Sequence, residues 1–428
     1  MRTDTFSFPM QRVEVMSQSD IASWSDEQMD DCPYLHFKRT PVPFPEAMGE
    51  ERFARAMKLE KSNASSEQWE ERMLYKELLK AYKKARRNGR NSYAQVRFEM
   101  NLSYNLWLLV KELRSRTYKP SRCIVFIVFS SVKREVIAPA FRDQVVDHLE
   151  YGYLSPIFER QFIYDSYSCR EGKGTDFGIA RLEHHIRSVS QNYTVECVAL
   201  QLDFRGYFMS MNHDILYDRI ADTLLRKGHR MDAPFPLCMF LVRMIIYTDP
   251  TVGCIVRGRG KDWKGLPRSK SYAYCKKGCG QPIGKLTSQL FSNIMNDILL
   301  QWLKREKKVR HLSGYVDDMT LVGRRSDLIL LVPLIRAFAQ ERMGLQVHPR
   351  KVRLLRVKHG VPFLGTKITP KGRYVTRRAE RVMRGKVETA LSTEQNPFAL
   401  QARVHSCRGY LLTRKSRTLE GHLKGISV

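Results

Sequence analysis

The stretch Gly314-Tyr315-Val316-Asp317-Asp318-Met319-Thr320-Leu321-Val322-Gly323 places two adjacent acids between apolar residues that favour β-strands. Such residues on both sides predict two short strands, and the acidic pair predicts the tip of the hairpin that joins them. Side chains alternate along a strand, so at most one of the two carboxylates can share a face with Tyr315 or Met319. We therefore expect the tight turn to present the other carboxylate.

An acidic pair presented in this way needs a counter-charge. A divalent metal ion would provide one, because hard cations such as magnesium prefer oxygen ligands and bind through one or two protein carboxylates plus substrate phosphates. A solvated turn is the alternative, since Asp is an ordinary turn residue. The ten residues alone leave both interpretations open.

The charge of the chain is the most informative part of its composition. The 428 residues, 43% of them hydrophobic, suffice for two or three packed units. Lys and Arg number 73 against 44 Asp and Glu, a net charge of +29 with a pI near 9.9. Residues 1–75 carry −5 and the remainder +34. A basic body of this size is typical of nucleic-acid binding proteins, whereas binding to an anionic membrane would favour a basic amphipathic helix.

Several classes of protein are disfavoured by the sequence. No apolar run reaches the roughly 18 to 20 residues that span a bilayer, and the N-terminal residues do not form a secretory signal. We therefore expect a cytoplasmic protein without a membrane partner. The nine cysteines contain no CxxC pair, so reduced and mostly buried thiols are favoured over a metal site.

The chain divides into an acidic extension and a patterned body. Residues 1–70 predict a partly irregular extension with weak helical content over 50–59, in contact with the basic body or with a partner protein. Residues 249–279 form a Gly-, Lys- and Arg-rich insertion, and the tail from Lys371 predicts helix that breaks at Pro397. Periodicity predicts further helices over 69–87, 92–116, 143–157, 176–190, 214–226, 234–247, 288–309 and 327–343, and strands over 123–129, 195–202, 345–347 and 352–357.

A third acid ends the strand predicted over 195–202. Asp203 lies 114 positions before Asp317, and it would lie beside the hairpin if the two strands pair in one sheet. Three carboxylates would then converge. Two magnesium ions held about 3.5 to 4 Å apart by such a cluster support in-line phosphoryl displacement, the chemistry that a nucleic-acid binding chain would use to extend a strand.

The motifs, taken in order, resemble those of bacterial retroelement-type reverse transcriptases. Asp203-Phe204-Arg205-Gly206-Tyr207-Phe208 is similar to the first palm motif of that family, and Tyr315-Val316-Asp317-Asp318 matches its aromatic-x-Asp-Asp motif. The likeness extends from about Leu74 to the C-terminus through residues 134–148, 170–175, 280–289, 344–351 and 363–365. Ile283-Gly284 followed by Ser288-Gln289 resembles the enzymes of diversity-generating retroelements and related defence-associated reverse transcriptases.

The resemblance implies an α+β fold, the right-hand polymerase. Residues 71–190, with part of 225–290, would form the fingers, residues 191–370 the palm and residues 371–428 a small helical thumb. Residues 1–70 would remain an N-terminal acidic extension.

The resemblance also implies roles for individual residues. Asp203, Asp317, Asp318 and the backbone carbonyl of Phe204 would hold two Mg²⁺ ions. Lys351 would act as an acid near the leaving pyrophosphate, with a merely solvated lysine as the alternative. The nucleotide would be bound by Arg134, Arg142, Phe208, Ile283, Gly284 and Gln289, with Phe208 as the steric gate against a 2′-hydroxyl. The primer and template would be bound by Tyr315, Phe363, Leu364, Gly365, Arg170 and Lys173.

The function that follows is RNA-directed DNA polymerisation, a nucleotidyl transfer that extends a primer 3′-hydroxyl on an RNA template. The resemblance favours a bacterial or phage retroelement, or an antiviral defence enzyme, acting with a structured non-coding RNA and with a protein partner or a second copy of the chain. A template-independent DNA polymerase of a defence system and a non-catalytic RNA-binding scaffold are the alternatives.

Overall fold

The chain folds into two compact units of mixed helix and sheet. The computed structural model describes residues 28–35, 40–61, 71–87, 92–129, 132–227, 234–393 and 397–424. The first unit takes the described residues up to Phe162 together with Arg205–Leu299 and Phe338–Gln346. The second takes Ile163–Phe204, Leu300–Ala337 and the described residues from Val347 onward. The α+β class predicted from the sequence is confirmed.

The elements follow one another as helices and strands numbered in chain order. The helices are α1 (Phe44–Met48), α2 (Glu50–Lys61), α3 (Glu71–Arg86), α4 (Tyr93–Glu99), α5 (Leu102–Arg114), α6 (Phe141–Glu159), α7 (Thr175–Val189), α8 (Tyr207–Ser210), α9 (His213–Lys227), α10 (Phe235–Tyr247), α11 (Leu286–Arg305), α12 (Arg325–Met343), α13 (Arg377–Thr393), α14 (Pro397–Leu411) and α15 (Arg417–Lys424). The strands are β1 (Ile124–Val128), β2 (Arg134–Ala138), β3 (Val198–Leu202), β4 (Ile255–Val256), β5 (Leu312–Tyr315), β6 (Asp318–Gly323), β7 (Arg353–Arg356), β8 (Val361–Phe363), β9 (Thr366–Thr369) and β10 (Gly372–Val375).

Helix α3 buries the face that its sequence pattern predicts. Leu74, Leu78 and Tyr82 are buried, while Leu79 is only partly covered. The single helix predicted over 92–116 is wrong, because the chain breaks at Met100 and Asn101 into α4 and α5. Neither apolar periodicity nor a Pro or Gly marks that break.

A small sheet in the first unit joins the 249–279 insertion to a hairpin. Strand β1 pairs antiparallel with β2 and parallel with β4, which belongs to the insertion. Trp263 and Leu266 of the insertion are fully buried in the same core cluster as Val125 and Ile137 of the hairpin. The insertion is therefore part of the packed core of this unit.

One buried carboxylate ties three parts of the first unit together. Glu135, on β2, is 1% exposed and accepts hydrogen bonds from Tyr34 Oη (2.8 Å), Trp263 Nε1 (2.7 Å), Ser271 Oγ (2.8 Å) and the backbone N of Tyr272 (2.7 Å). Burial raises the pKa of Glu135 and the four hydrogen bonds oppose that rise. Sequence reasoning did not identify this residue.

The acidic extension packs onto the body partly through its basic residues. Arg52 of α2 contacts Asp214 (3.2 Å) and Asp218 (2.9 Å) of α9, while Glu60 binds Arg243 of α10 through two hydrogen bonds of 2.6 and 2.9 Å. The predicted weak helix over 50–59 is present as α2. This part of the extension thus contacts the body. The extension contributes the base to some of the ion pairs and the acid to another.

The second unit is built on the antiparallel sheet β5-β6-β3-β7. Ile179, Leu182 and Ile186 of α7 pack in one cluster with Ala199 and other residues of this sheet. The strand predicted over 345–347 is wrong, since Val347 forms only an isolated bridge to Phe204. The chain turns at once, with His348 N donating to Asp203 O at 2.8 Å.

The C-terminal part of the second unit contains a second sheet, β10-β9-β8, and three helices. The tail was predicted to be helical from Lys371, but Gly372–Val375 forms β10 because it pairs with β9. Pro397 marks a break as predicted, and it opens α14 at a position where a missing N–H costs nothing. Helices α13 to α15 share a core of Val387, Val404, Cys407, Leu419 and Leu423.

Two predictions concern the cysteines and the absence of membrane-spanning segments. The nine cysteines are free thiols, and those other than Cys169 and Cys279 are buried. Across the described ranges, no helix combines the length and the apolar character that crossing a membrane requires.

The Glu135 hydrogen bonds predict a large effect on stability. Glu135→Ala would leave four donors without their acceptor, and each unsatisfied buried group costs about 1 to 3 kcal/mol, so we expect a loss of at least about 3 kcal/mol in the free energy of unfolding. Glu135→Gln keeps an acceptor oxygen and should lose less. Urea unfolding followed by tryptophan fluorescence measures both.

Asp222→Ala is the matched control, because Asp222 makes an exposed ion pair with Arg55 (2.8 Å) in the same unit. Its loss should stay within about 1 kcal/mol. Equal losses in the free energy of unfolding for Glu135→Ala and Asp222→Ala would contradict the role of Glu135 in connecting three parts of this unit.

Candidate active site

The acidic hairpin forms as predicted, with one difference in which residues make up its turn. Tyr315 pairs with Asp318, so the turn consists of Val316 and Asp317, and Asp318 is the first residue of β6. Val316 has a φ of +55°, a conformation that is strained for a β-branched residue. The turn therefore presents one of the two carboxylates, that of Asp317, as predicted, whereas the prediction that both acids form the tip of the hairpin is wrong for Asp318.

Strand pairing brings Asp203 to the same end of the sheet. In the antiparallel ladder between β3 and β6, Leu202 lies opposite Met319. The residues one step beyond this pair are Asp203 and Asp318. Asp203 thus lies beside the hairpin, as predicted for the case in which the two strands share a sheet.

The electrostatics of the three acids reflect their closeness. Burial, followed by the charges of Asp318 and Asp203, raises the pKa of Asp317 to about 7. Burial and the charge of Asp203 also raise the pKa of Asp318, although Lys351 and Arg353 oppose this. The site therefore holds more negative charge than its own cations neutralise.

Lys351 lies against one of the three acids. Its Nζ donates a hydrogen bond to Oδ2 of Asp203, and its backbone N donates to the His348 carbonyl at 3.2 Å. Sequence reasoning placed this lysine near a leaving pyrophosphate but did not foresee the ion pair. It also missed Arg353, because the pairing of β7 with β3 that brings this residue near the acids has no signal in the local sequence.

The donor set suits a hard divalent cation. The charge of Asp203 raises the pKa of Asp317 and Asp318, so the cluster would gain from a shared cation, and oxygen donors are the ligands that such cations prefer. In the described part of the chain, no three His, Cys, Asp or Glu side chains already converge as a metal site. Because Lys351 binds the Asp203 carboxylate, a metal ion would have to share or displace that contact.

The residues expected to contact primer and template lie in the second unit. Tyr315, Phe363 and Leu364 belong to one hydrophobic cluster, in which Phe363 is buried. Leu364 and Gly365 form a turn with φ of +45° and +79°. Arg170 and Lys173 are engaged locally, since Arg170 donates to the carbonyls of Ile163 and Ser166 at 2.8 Å and Lys173 to that of Tyr164.

The residues expected around the nucleotide base lie in the first unit. Gln281 N donates to Phe208 O at 2.7 Å and Ile137 N donates to Ile283 O at 2.8 Å. Phe208 and Ile283 both pack, partly buried, against the core cluster around Trp263. These contacts hold Phe208 and the segment of Ile283 next to one another. Gln289 is exposed on α11.

Gly284 has a structural requirement of its own. Its φ is +123°, and a Cβ there would come within 2.9 Å of the Ile137 carbonyl oxygen and of Val136 Cγ1. Glycine is therefore required at this position by both the backbone conformation and the close approach to β2.

The two arginines expected at the triphosphate differ in their surroundings. Arg134 is exposed on β2. Arg142 is bound to the carboxylate of Glu112 and lies over the Tyr118 ring at 5.3 Å. Contact of Arg142 with a phosphate would therefore compete with an existing ion pair, whereas Arg134 has a solvent-facing position.

Comparison with known proteins adds to this geometry. Residues 133–368 match the family model "Reverse transcriptase (RNA-dependent DNA polymerase)". No curated protein sequence matches the chain.

Two telomerases of Candida species are among the solved structures to which the chain is similar. The telomerase of Candida albicans in complex with a fragment of telomeric RNA is 12% identical, with 69% of this chain and 55% of that chain covered and a TM-score of 0.38. The apo telomerase of Candida tropicalis without its C-terminal domain is 14% identical, with 59% and 54% covered and a TM-score of 0.41. The chain thus spans about half the length of these structures.

The raised pKa of Asp317 predicts that ionisation of this carboxyl lowers the free energy of unfolding when no metal ion is bound. The unfolded carboxyl ionises near pH 4 and the folded one near pH 7, so stability from this group falls as pH rises from about 4 to about 7 and stays reduced above it. A rise in pKa from about 4 to about 7 corresponds to roughly 4 kcal/mol, and the partial exposure of Asp317 reduces this to about 2 kcal/mol. In EDTA, Asp317→Asn should therefore raise the free energy of unfolding by about that amount at pH 8 and by almost nothing at pH 4.

Urea unfolding over this pH range measures the effect, and Asp327→Asn, at an exposed carboxylate on α12, is the control. A gain that is independent of pH, or equal in the control, would contradict the electrostatic origin.

Proposed function

The chain belongs to the reverse transcriptase family, and on that premise we propose that it is an RNA-directed DNA polymerase that extends a primer 3′-hydroxyl on an RNA template. The observation that carries the proposal is the β3–β6 register, which brings Asp203 and Asp318 together at the end of the sheet beside the turn that presents Asp317. Members of this family use divalent metal ions, and we propose Mg²⁺ for this chain.

Asp203, Asp317 and Asp318, with the backbone carbonyl of Phe204, would hold two Mg²⁺ ions. When bound, the ions supply a lowered pKa for the attacking hydroxyl and stabilise charge on the leaving oxygen. Asp317 lies at the tip of the turn, where burial and the charges of Asp318 and Asp203 raise its pKa to about 7, so we assign it as the firmer ligand and Asp318 as the weaker one.

Lys351 would hold a proton beside the site. Its ammonium lies against Asp203, from which it could turn toward a leaving pyrophosphate and donate to it. Arg134 and Arg142 would bind the triphosphate, while Phe208, Ile283, Gly284 and Gln289 would shape the space for the new base pair. Primer and template would be bound through Tyr315, Phe363, Leu364, Gly365, Arg170 and Lys173.

The finer assignment concerns the biological system and the partners. The +34 charge beyond residue 75 supports binding of an RNA template and a DNA product through many phosphate contacts. The Ile283-Gly284 and Ser288-Gln289 motif supports a bacterial or phage retroelement, or an antiviral defence enzyme, that acts in the cytoplasm with a structured non-coding RNA. A protein partner or a second copy of the chain belongs to the same proposal.

A second candidate is an RNA-binding scaffold that does not catalyse. The Lys351–Asp203 ion pair favours it, because this contact occupies a carboxylate that a metal would need. Metal-dependent nucleotide incorporation separates the two candidates. A third, an active polymerase that needs no external template, predicts the same metal dependence but products that do not copy the bound RNA.

Asp317→Ala should reduce primer extension by at least about a thousandfold while RNA binding is retained, because the firmer ligand is lost without a change in surface charge elsewhere. Asp318→Asn should retain more activity than Asp317→Asn. Mg²⁺-dependent extension, sequencing of the product with and without the RNA that accompanies the purified protein, and filter binding of that RNA measure these effects.

Asp327→Asn is again the control and should extend primers like the wild type. Full activity of Asp317→Ala would overturn the proposed function, and products unrelated to any RNA present would replace the template-directed form with the template-independent one.

Phe208→Ala should relax discrimination against ribonucleotides. Removing the ring opens space where a 2′-hydroxyl would otherwise clash, so we expect the ratio of ribonucleotide to deoxyribonucleotide incorporation to rise about tenfold. Single-nucleotide incorporation kinetics measure this ratio. Phe129→Ala, at an exposed ring of the same unit, should leave it unchanged, and an unchanged ratio in Phe208→Ala would remove the gate assignment.

A further inference from the structure

The first unit contains a cavity that the proposed polymerase reaction does not use. Its volume is about 770 Å³, and its walls come from the segment before and within α1, the segment between α5 and β1, helix α10, and residues 272–285. Small-molecule sites measure about 300 to 1,000 Å³, so the cavity has room for a molecule the size of a nucleotide. A single inorganic ion would leave most of it empty.

Aromatic side chains form much of the inner wall. Phe240, Tyr247 and Tyr272 are buried and line the cavity, and Phe44 of α1 lines it as well. His213 also lines it, with its Nε2 already bonded to the Gly280 carbonyl at 2.8 Å. Walls of this kind favour a flat, partly apolar ring system.

The charged residues of the cavity are almost all basic. Four exposed cations, Lys119, Arg122, Lys276 and Lys277, line it. Among the described residues that line the cavity, Asp249 is the one acid. This balance favours an anionic ligand.

A buried lysine adds an anchor inside the cavity. Lys285 is 6% exposed and forms an ion pair with Asp147, whose Oδ1 lies 3.8 Å from the Lys285 Nζ. Asp147 and Asp143 raise the pKa of Lys285 despite its burial, so the side chain is a cation. An ammonium carries three donors, and a buried ammonium is costly unless it is paired and hydrogen-bonded. Because the one ion pair is long and an ammonium has three donors, Lys285 can also donate to an anion in the cavity that it lines.

We propose that this cavity is a binding site for a nucleoside phosphate, with the base between the aromatic walls and the phosphates on Lys285 and the cations Lys276 and Lys277. None of these residues is assigned to metal, nucleotide, primer or template in the polymerase reaction. The site would therefore bind its ligand in addition to the polymerase substrates, and binding does not require that the chain polymerise.

The experiment measures equilibrium binding of ATP, GTP, CTP and UTP to the full chain freed of nucleic acid by nuclease and high salt. Isothermal titration in EDTA suppresses binding that needs a metal at the carboxylates. We expect saturable binding of at least one nucleotide, weakened at least tenfold by Lys285→Met and by the double variant Lys276→Gln/Lys277→Gln. Inorganic triphosphate should bind at least tenfold more weakly than that nucleotide.

Two controls locate the site. Lys83→Gln/Lys84→Gln removes the same charge from two adjacent exposed lysines of α3, and Asp317→Ala alters the proposed active site, so both should bind within twofold of the wild type. Because Lys285 is buried, Lys285→Met could lower stability, and the exposed double variant then decides. No saturable binding, equal binding of inorganic triphosphate, or unchanged affinity in Lys276→Gln/Lys277→Gln would overturn the proposal.

Discussion

The antiparallel register between β3 and β6 is the constraint on which the candidate active site depends. Leu202 lies opposite Met319 and Leu200 opposite Leu321, and all four side chains are buried. A slip of one residue would turn the buried side chains of the slipped strand to the other face of the sheet. Hydrophobic burial thus helps to fix, at the end of the ladder, which carboxylates meet.

The same register creates an electrostatic cost that the second unit has to carry. Three carboxylates at one sheet end repel one another, and the hairpin between them contains a strained Val316. Neighbouring contacts hold this end in place: Tyr167 Oη lies 3.1 Å from Ser313 Oγ, and Gly314 N donates to Asp165 O at 2.9 Å. Lys351 offsets part of the charge. A rigid support with residual negative charge is what a site that recruits cations requires.

Local pattern accounts for much of what the sequence could predict. The hairpin, the strand before Asp203 and most helices follow from residues near each other in the chain, so their predictions are confirmed. The break between α4 and α5, the strand β10 and the missing strand over 345–347 depend on pairing partners elsewhere. The phase of the turn, which places Asp318 in β6, depends on which residues pair across the hairpin, and the letters Asp-Asp do not specify this.

The roles predicted for Arg142 and Lys351 show the same limit of prediction from sequence for individual charged residues. A motif identifies a basic residue but not the acid that it meets in the fold, here Glu112 and Asp203. Both acids lie far along the chain or on another element. Sequence reasoning can therefore nominate such residues, while their availability to a substrate is decided by tertiary contacts.

Glu135 and Lys285, two buried charged residues of the first unit, are compensated by different kinds of contact. Glu135 is surrounded by four donors at 2.7 to 2.8 Å, which offset part of the cost of burying a carboxylate. Lys285 is almost as deeply buried, yet its nearest ion-pair partner is 3.8 Å away and it faces a cavity lined by further cations. Nearby acids, Asp147 first, raise the pKa of Lys285 despite its burial, so the fold itself supports the charge. The cavity that Lys285 lines leaves room for the anion that we propose as a further partner of this lysine.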